Sequence, residues 1–208
     1  MRKVINVLLA AAAVLLIYMC VMSIYSPIKF DKEKAAREVK VIQHLVDIRK
    51  AEIEFKNLNG HYTGSFDTLI DFINNGKIPV ILKEGTLTDE QLKAGLTEIE
   101  AVKQGIIRRD TSYVSVKESL FTEDYDAENI KYVPYSDGKE FELAAQSIQV
   151  SGLDIWVFEA KTDYKTYLGG INDQEVINLI EAKVKNKRYP GLKVGSIEES
   201  NNNAGNWE

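Results

Sequence analysis

Cysteine and histidine are scarce in this sequence. Its 208 residues include one cysteine and two histidines. A single cysteine excludes a disulfide framework within the chain and a zinc site built from several cysteines. Two histidines offer little material for a histidine-based metal centre. The composition therefore removes several classes of metalloprotein and disulfide-rich protein without selecting an activity.

Positive charge is also in deficit. The sequence has 26 Lys and Arg residues against 31 Asp and Glu residues, a formal net charge of −5. A general nucleic-acid-binding protein needs a basic face, so we expect no nucleic-acid partner. The Gly169-Gly170 pair is not followed by Lys-Ser or Lys-Thr, and so it does not indicate a phosphate loop. The 45% hydrophobic content is that of a folded chain.

One long stretch without charge lies near the start of the chain. Residues 4–25 read VINVLLAAAAVLLIYMCVMSIY, with Asn6 and Ser23 as the polar interruptions. A helix needs about 20 apolar residues to cross the hydrocarbon core of a bilayer. The stretch Val4 to Tyr25 therefore predicts a transmembrane helix, and we expect Ser26-Pro27 to end it because proline disrupts helical hydrogen bonding.

Three kinds of N-terminal signal share such a stretch. A cleavable signal peptide has a shorter apolar region and a small-residue cleavage site, which is not found after this one. A lipoprotein signal needs a small residue before its cysteine, whereas Met19 precedes Cys20. An uncleaved signal anchor fits best.

The flanking charges give conflicting indications of orientation. Arg2 and Lys3 favour a cytoplasmic start, but the basic residues on the other side favour the reverse: Lys29, Lys32, Lys34, Arg37 and Lys40. We expect a single-pass protein of the bacterial inner membrane with its C-terminal domain in the periplasm, because an anchor that opens with Met-Arg-Lys is the usual entry to export.

The remaining chain predicts one α+β domain. A long amphipathic helix from Asp31 to Leu58 precedes shorter helices and hairpin-linked strands, an order typical of a helix packed on an antiparallel sheet. Asn172 and Glu175 predict the start of a C-terminal helix. We predict an anchor at 1–26, a linker at 27–34, an α+β domain at 35–195 and an irregular polar tail at 196–208.

Local signals place the shorter elements. Asp137-Gly138 and Ser151-Gly152 each predict a hairpin turn. The stretch IWVFEAK at 155–161 is expected to be the best-buried strand. The other predicted elements are a helix after Ser65 that ends at Asn75-Gly76, a strand at 77–82, a helix from Asp89 to Lys103 with a Thr88–Gln91 capping box, and a strand at 113–117 that continues through 119–121.

The end of the long helix resembles a known family. The sequence IRKAEIEFKNLNGHY from Ile48 to Tyr62 has an alanine-containing apolar face, an aromatic residue and an Asn-Gly-x-Tyr turn, and Phe66 to Leu69 follow it. This pattern is similar to type IV pilins and type II secretion pseudopilins over about residues 1–75. The resemblance implies a pilin-like fold. The whole chain also resembles membrane-anchored proteins of the Bacteroides group.

The first functional hypothesis is a non-enzymatic envelope protein that binds protein partners. The resemblance implies a minor component of a secretion or pilus-like assembly. Val41, Leu45 and Ile48 lie on the apolar stripe of the long helix and are our candidate partner-binding residues. A wide stripe of this kind is more often a core-facing surface, which is the competing interpretation.

The second hypothesis is a module that binds a small ligand, calcium or a glycan. Asp124, Asp126 and Glu128 alternate in an acidic loop, and calcium takes about six to eight oxygen ligands. A solvated loop is the alternative, since the helix-loop-helix calcium signature is absent; the resemblance adds that major pseudopilins have a calcium-binding loop. Besides calcium we expect no cofactor. For a glycan, the candidate exposed aromatic residues are Tyr125, Tyr135, Tyr164 and Tyr167.

A hydrolase with an unrecognised site is the third hypothesis. His61 lies in a turn and offers a general base, but no nucleophile pattern accompanies it. A basic cluster lies near the end of the C-terminal helix and consists of Lys183, Lys185, Lys187, Arg188 and Lys193. This cluster fits anionic lipid headgroups or, more simply, the negative end of the helix dipole.

Overall fold

The computed structural model describes residues 2–88, 91, 93 and 95–208. The chain divides into two compact units. The first comprises Met1–Arg49 and Asn129–Glu208, and the second comprises Lys50–Glu128. Each unit has an antiparallel sheet, so the predicted α+β class is confirmed.

Helix α1 spans Arg2–Asn59 and contributes to both units. Its predicted end is confirmed, because Gly60 follows it with φ of 81°, a conformation that glycine adopts without a Cβ penalty. The predicted break at Ser26-Pro27 is wrong, since the helix continues through Pro27. The predicted linker at 27–34 is therefore helical. Contacts on both sides of the proline hold the helix there: Ser26 accepts a hydrogen bond from Asn172, and Phe30 is buried.

The first part of α1 is exposed and strongly apolar. Side chains from Val4 to Tyr25 are all exposed. The most apolar 18-residue window has a mean hydropathy of 2.7 and none of it is buried within the chain. The helix is therefore long and apolar enough to cross a membrane, and it is compatible with membrane anchoring.

The second unit combines the end of α1 with short helices and a two-stranded sheet. Strand β1 (Lys77–Glu84) pairs with β2 (Arg108–Ser115) in antiparallel register. The helices are α2 (Phe66–Asn75), α3 (Glu98–Lys103) and α4 (Val116–Leu120). The predicted short helix and the predicted strand that follows it are confirmed.

Two predictions for this unit need correction. Residues 116–120 form α4 rather than an extension of β2, because Val116 is fully buried and its backbone N–H donates to Gly76 O. The predicted helix from Asp89 begins outside the described residues. Of its described part, Gln91 and Lys93 are helical as predicted, whereas Gly95 has φ of 80° and α3 begins afresh with a capping box at Thr97. The Thr88–Gln91 capping pair itself is confirmed by two reciprocal hydrogen bonds.

A three-stranded sheet forms the centre of the first unit. Strands β3 (Glu142–Val150), β4 (Leu153–Asp163) and β5 (Gly191–Gly195) are antiparallel in the order β3-β4-β5. The predicted turn at Ser151-Gly152 is confirmed, and residues 157–160 of β4 are all buried. The expectation that this is the best-buried strand is wrong, because four of the five residues of β5 are buried. Strand β5 was not predicted, because five residues with two terminal glycines carry little strand signal.

Helices α5 (Tyr164–Tyr167) and α6 (Asp173–Lys185) follow the sheet. The predicted start of α6 is confirmed, since the Asn172 side chain accepts a hydrogen bond from Glu175 N. The tail is mostly without regular structure, as predicted, yet it is attached to β5. Gly195 N donates to Ala204 O, and Asn206 N donates to Lys193 O.

Candidate functional site

The predicted partner-binding stripe belongs to the core. Val41, Leu45 and Ile48 are all 0% exposed. A side chain without accessible surface cannot contact a partner while the chain is folded, so the interpretation of this stripe as a docking face is wrong. Its width reflects burial on one side of α1, which was the competing interpretation.

The acidic loop does not assemble the predicted ligand set. Asp124, Asp126 and Glu128 are exposed, and Asp126 Oδ1 accepts a hydrogen bond from Glu128 N at 3.1 Å. Within the described residues, no three His, Cys, Asp or Glu side chains are grouped as metal ligands. Calcium binding at this loop stays a prediction.

The four candidate tyrosines separate into two classes. Tyr164 and Tyr167 are buried, 4% and 0% exposed, so the expectation that they are exposed is wrong. Tyr125 is partly exposed and stacks on Phe121 with ring centroids 4.0 Å apart. Tyr135 is 54% exposed and is therefore the tyrosine of this set that best fits a binding role.

Tyr135 lines a cleft of about 600 Å³ in the first unit, which we name the tyrosine cleft. Its volume is in the range of small-molecule sites, about 300–1,000 Å³. Tyr132, itself 36% exposed, contributes a second aromatic ring. Arg37 from α1 and Asp137 supply charged groups. The cleft thus combines two accessible aromatic rings with one cation and one carboxylate.

Arg37 holds one wall of the tyrosine cleft in place. Its Nη1 donates to Tyr167 O at 2.7 Å and to Gly169 O at 3.1 Å. The guanidinium Cζ lies 5.2 Å from the centroid of the Tyr135 ring, a cation–π distance. Arg37 therefore fixes both the loop before α6 and one face of Tyr135.

The turn that carries Tyr135 has an unusual backbone. Tyr135 has φ of 64° and Asp137 has φ of 52°, both in the left-handed region that bulky residues avoid. The predicted hairpin at Asp137-Gly138 is confirmed in part: Tyr132 and Glu140 form an isolated bridge, and no longer ladder is present in this described segment. A tyrosine in this conformation costs about 1 kcal/mol or more, and such strain is concentrated at functional sites.

Ser136 holds the turn closed from within. Its hydroxyl donates to Val133 O at 2.6 Å and accepts from Lys139 N at 3.1 Å, and the residue is 4% exposed. A buried hydroxyl that is already engaged in this way is poorly placed to act as a nucleophile. The cleft thus presents aromatic rings, charged side chains and backbone groups.

Neither histidine lines the tyrosine cleft, although His44 hydrogen-bonds the backbone of Tyr132, which does. His61 is exposed, its Nδ1 lies 3.0 Å from Asn59 O, and its ring meets Phe55 edge-on. His44 is half-buried, and burial lowers its pKa from the ordinary value. A hydrolase built on His61 stays a prediction.

Glu52 is a buried acid that the sequence reasoning missed. It lies on α1 in the second unit, is 0% exposed, and its Oε2 accepts a hydrogen bond from Thr63 N at 2.9 Å. Its Oε1 has no hydrogen-bond partner in the described chain. Burial raises the pKa of Glu52 to about 8. Its position four residues after Ile48, on the same stripe, was the available signal.

Comparison with protein-family models, with curated proteins and with solved structures finds no match for this chain.

Proposed function

We propose that this chain is a single-span, membrane-anchored binding protein without enzymatic activity, which recognises a glycan in the tyrosine cleft. We place it in the bacterial inner membrane with its folded part in the periplasm. The observation that carries the ligand proposal is the strained, half-exposed Tyr135 with Arg37 against one face of its ring.

The tyrosine cleft is suitably distant from the proposed membrane surface. The hydrogen bond from Asn172 to Ser26 marks where the folded part of the first unit begins on α1, directly after the apolar stretch ends at Tyr25. Arg37 is twelve residues beyond Tyr25, which corresponds to about 18 Å along the helix. A headgroup layer is only about 5–8 Å thick, so the cleft would face water.

The lining of the tyrosine cleft suits a sugar. A sugar ring has C–H faces, which pack on aromatic rings, and hydroxyl edges, which need polar partners. Tyr132 and Tyr135 offer rings, while Asp137 offers a hydrogen-bond acceptor. Because Arg37 already holds Tyr135, little side-chain ordering remains to oppose binding.

The proposal also includes protein partners and a role in a pilus-like assembly. Only the resemblance to pilins and pseudopilins supports these two points. The buried stripe of Val41, Leu45 and Ile48 no longer supports them. A cell-wall glycan is the ligand that an anchored periplasmic protein would meet directly.

The test is co-sedimentation of the full chain, in detergent micelles, with purified cell-wall sacculi. Tyr135→Asn removes the ring, and asparagine tolerates the left-handed backbone, so the turn is retained. We expect the variant to bind at least about fivefold more weakly, since loss of an anchoring aromatic ring at a binding site is worth roughly 1–3 kcal/mol.

Tyr113→Asn provides a matched control, because Tyr113 is 68% exposed and lies on β2 in the other unit. It should bind sacculi like the unchanged chain. Equal binding by all three proteins, or no binding by any of them, would contradict the glycan proposal. Release of the chain from membranes by alkaline carbonate would contradict the anchor separately.

A further inference from the structure

A second cleft in the first unit is basic. It has a volume of about 470 Å³ and lies where α6 ends, beside β5 and the attached tail. Lys183, Lys187, Arg188 and Lys193 line it, whereas Lys185 of the sequence-predicted cluster does not. We name it the basic cleft. It is separate from the tyrosine cleft, because the two share no lining residue.

The charges of the basic cleft do not cancel internally. Lys193 Nζ is paired with Glu159 at 3.0 Å, and the one lining carboxylate, Glu208, is paired with Arg49 at 2.6 Å. Within the described chain, the remaining lining cations form no salt bridge with a carboxylate: Lys183, Lys187 and Arg188. Three cations without a salt bridge therefore surround one concave space, and one of them, Lys183, also acts on the carboxyl group of Glu38.

Lys187 adopts a strained backbone at this place. Its φ is 54°, and it occupies the position after the helix C-cap that normally holds glycine. A non-glycine residue in this conformation costs about 1 kcal/mol. The sequence therefore has a cation at a position where glycine would stabilise the turn. Backbone strain of this kind is concentrated at binding sites.

The last turn of α6 is closed by its own hydrogen bonds. Arg188 N donates to Lys183 O at 2.9 Å, and Lys187 N donates to Val184 O at 2.9 Å. Asn186 donates to Ala182 O from its side chain as well as from its backbone. Because these carbonyl oxygens are occupied, the negative end of the helix dipole opposes an anion only weakly.

The opposite wall of the basic cleft is held by Asn206. Its Oδ1 accepts from Lys193 N at 3.1 Å, and its Nδ2 donates to Gly191 O at 2.9 Å. These two hydrogen bonds fix the tail against β5 beside the space that the cations surround. A preformed site of this kind loses little entropy when a ligand binds.

The basic cleft is far from the proposed membrane surface. Helix α6 follows Asn172, which contacts Ser26, and its thirteen residues span about 20 Å. Lys183, near its end, lies close enough to Glu38 of α1 for its charge to oppose the rise in that carboxyl's pKa. The potential of lipid headgroups is screened within about 8 Å at physiological ionic strength.

We propose that the basic cleft binds a phosphate-type dianion carried by a soluble or polymer-linked molecule. Lys183, Lys187 and Arg188 supply the charge, and the Arg188 guanidinium can hold two phosphate oxygens at once. Lipid headgroups carry the same chemical group, but the distance along α6 places the cleft beyond the reach of a flat bilayer. This site does not depend on glycan binding in the tyrosine cleft.

The test uses the full chain in nanodiscs of neutral phosphatidylcholine, with pyrophosphate as the probe in isothermal titration calorimetry. We expect saturable binding that weakens at least tenfold in the double variant Lys187→Gln/Arg188→Gln. Lys185→Gln/Lys165→Gln removes two exposed lysines outside the cleft and should bind like the unchanged chain. Thermal unfolding of each variant is compared to show that the fold is retained.

A second arm replaces the neutral nanodiscs by vesicles that contain phosphatidylglycerol, added to the detergent-solubilised chain. Vesicle binding that requires Lys187 and Arg188, without pyrophosphate binding, would overturn the assignment to a soluble phosphate. Absence of saturable pyrophosphate binding, or an equal loss in both double variants, would overturn the site itself.

Discussion

Helix α1 carries two apolar stretches with opposite surroundings. Side chains from Val4 to Tyr25 are exposed on every side of the helix, whereas Val41, Leu45 and Ile48 have no accessible surface. The same secondary structure thus presents one stretch to its surroundings and buries the other within the folded chain.

The difference follows from the arrangement of charges rather than from hydrophobicity alone. The first stretch is apolar around the whole circumference of the helix, so no single face can bury it and only an apolar solvent suits it. The second has apolar residues on one face and lysines, arginines and glutamates on the other. A continuous run therefore indicates a membrane anchor, and a stripe indicates a core.

The largest expected effect comes from a charge in the buried stretch. Leu45→Asp places an unpaired carboxylate where 0% of the side chain is exposed. We expect a loss of roughly 5 kcal/mol or more in the free energy of unfolding, comparable with the whole stability of many domains. Urea unfolding of the full chain in detergent, followed by near-UV circular dichroism, measures it.

Val39→Asp is the matched control for this change, because Val39 lies on the same helix and is 65% exposed. It should alter the unfolding free energy by no more than about 0.5 kcal/mol. A folded Leu45→Asp protein that only loses association with a partner would break the comparison and restore the stripe as a docking face.

The second largest expected effect is a pH dependence of the unfolding free energy that arises from Glu52, the acid on the buried stripe. Its pKa is raised to about 8 by burial, from 4.5. The folded chain therefore holds a proton that the unfolded chain releases. Stability from this group is complete below about pH 4.5 and is lost as pH rises through about 8. Each pKa unit is worth about 1.4 kcal/mol, so the loss should approach roughly 5 kcal/mol at pH 9.

Glu52→Gln should flatten this pH dependence, because the amide keeps an oxygen for Thr63 N and cannot ionise. Urea unfolding between pH 4 and pH 9 measures the slope, and Glu54→Gln, two residues further on and partly exposed, should retain it. A wild-type chain whose stability is constant over this range would show that Glu52 is solvated or paired.

The sequence predicted the elements whose signals are local. The long apolar helix at Val4 to Tyr25, the helix end at Asn59-Gly60 and the hairpin at Ser151-Gly152 each depend on a few neighbouring residues, and each is confirmed. The apolar stripe was recognised too. Its assignment to core or partner was left open, because periodicity gives the face of a helix and not what covers it.

The predictions that were wrong or incomplete concern features that depend on contacts between residues distant in sequence. Pro27 stays within α1 because Asn172 and the burial of Phe30 support the helix around it, and no local signal reports such contacts. The tyrosine cleft likewise joins Arg37 to a turn about a hundred residues later. Tyr135 was predicted as an exposed aromatic, but its partner on α1 was not.

The smallest expected change in unfolding free energy concerns Ser26, at the boundary between the exposed and the buried apolar stretches of α1. Ser26 accepts a hydrogen bond from Asn172 Nδ2 at 3.0 Å, whereas Ser23, one turn earlier, lies within the exposed stretch. Ser26→Ala should lower the unfolding free energy of the folded part by about 1 kcal/mol, the net worth of one hydrogen bond. Ser23→Ala should leave it unchanged, since the Ser23 side chain is exposed. Equal effects from the two variants would mean that the folded part extends further along α1, and then part of the apolar stretch would be covered by protein rather than by lipid.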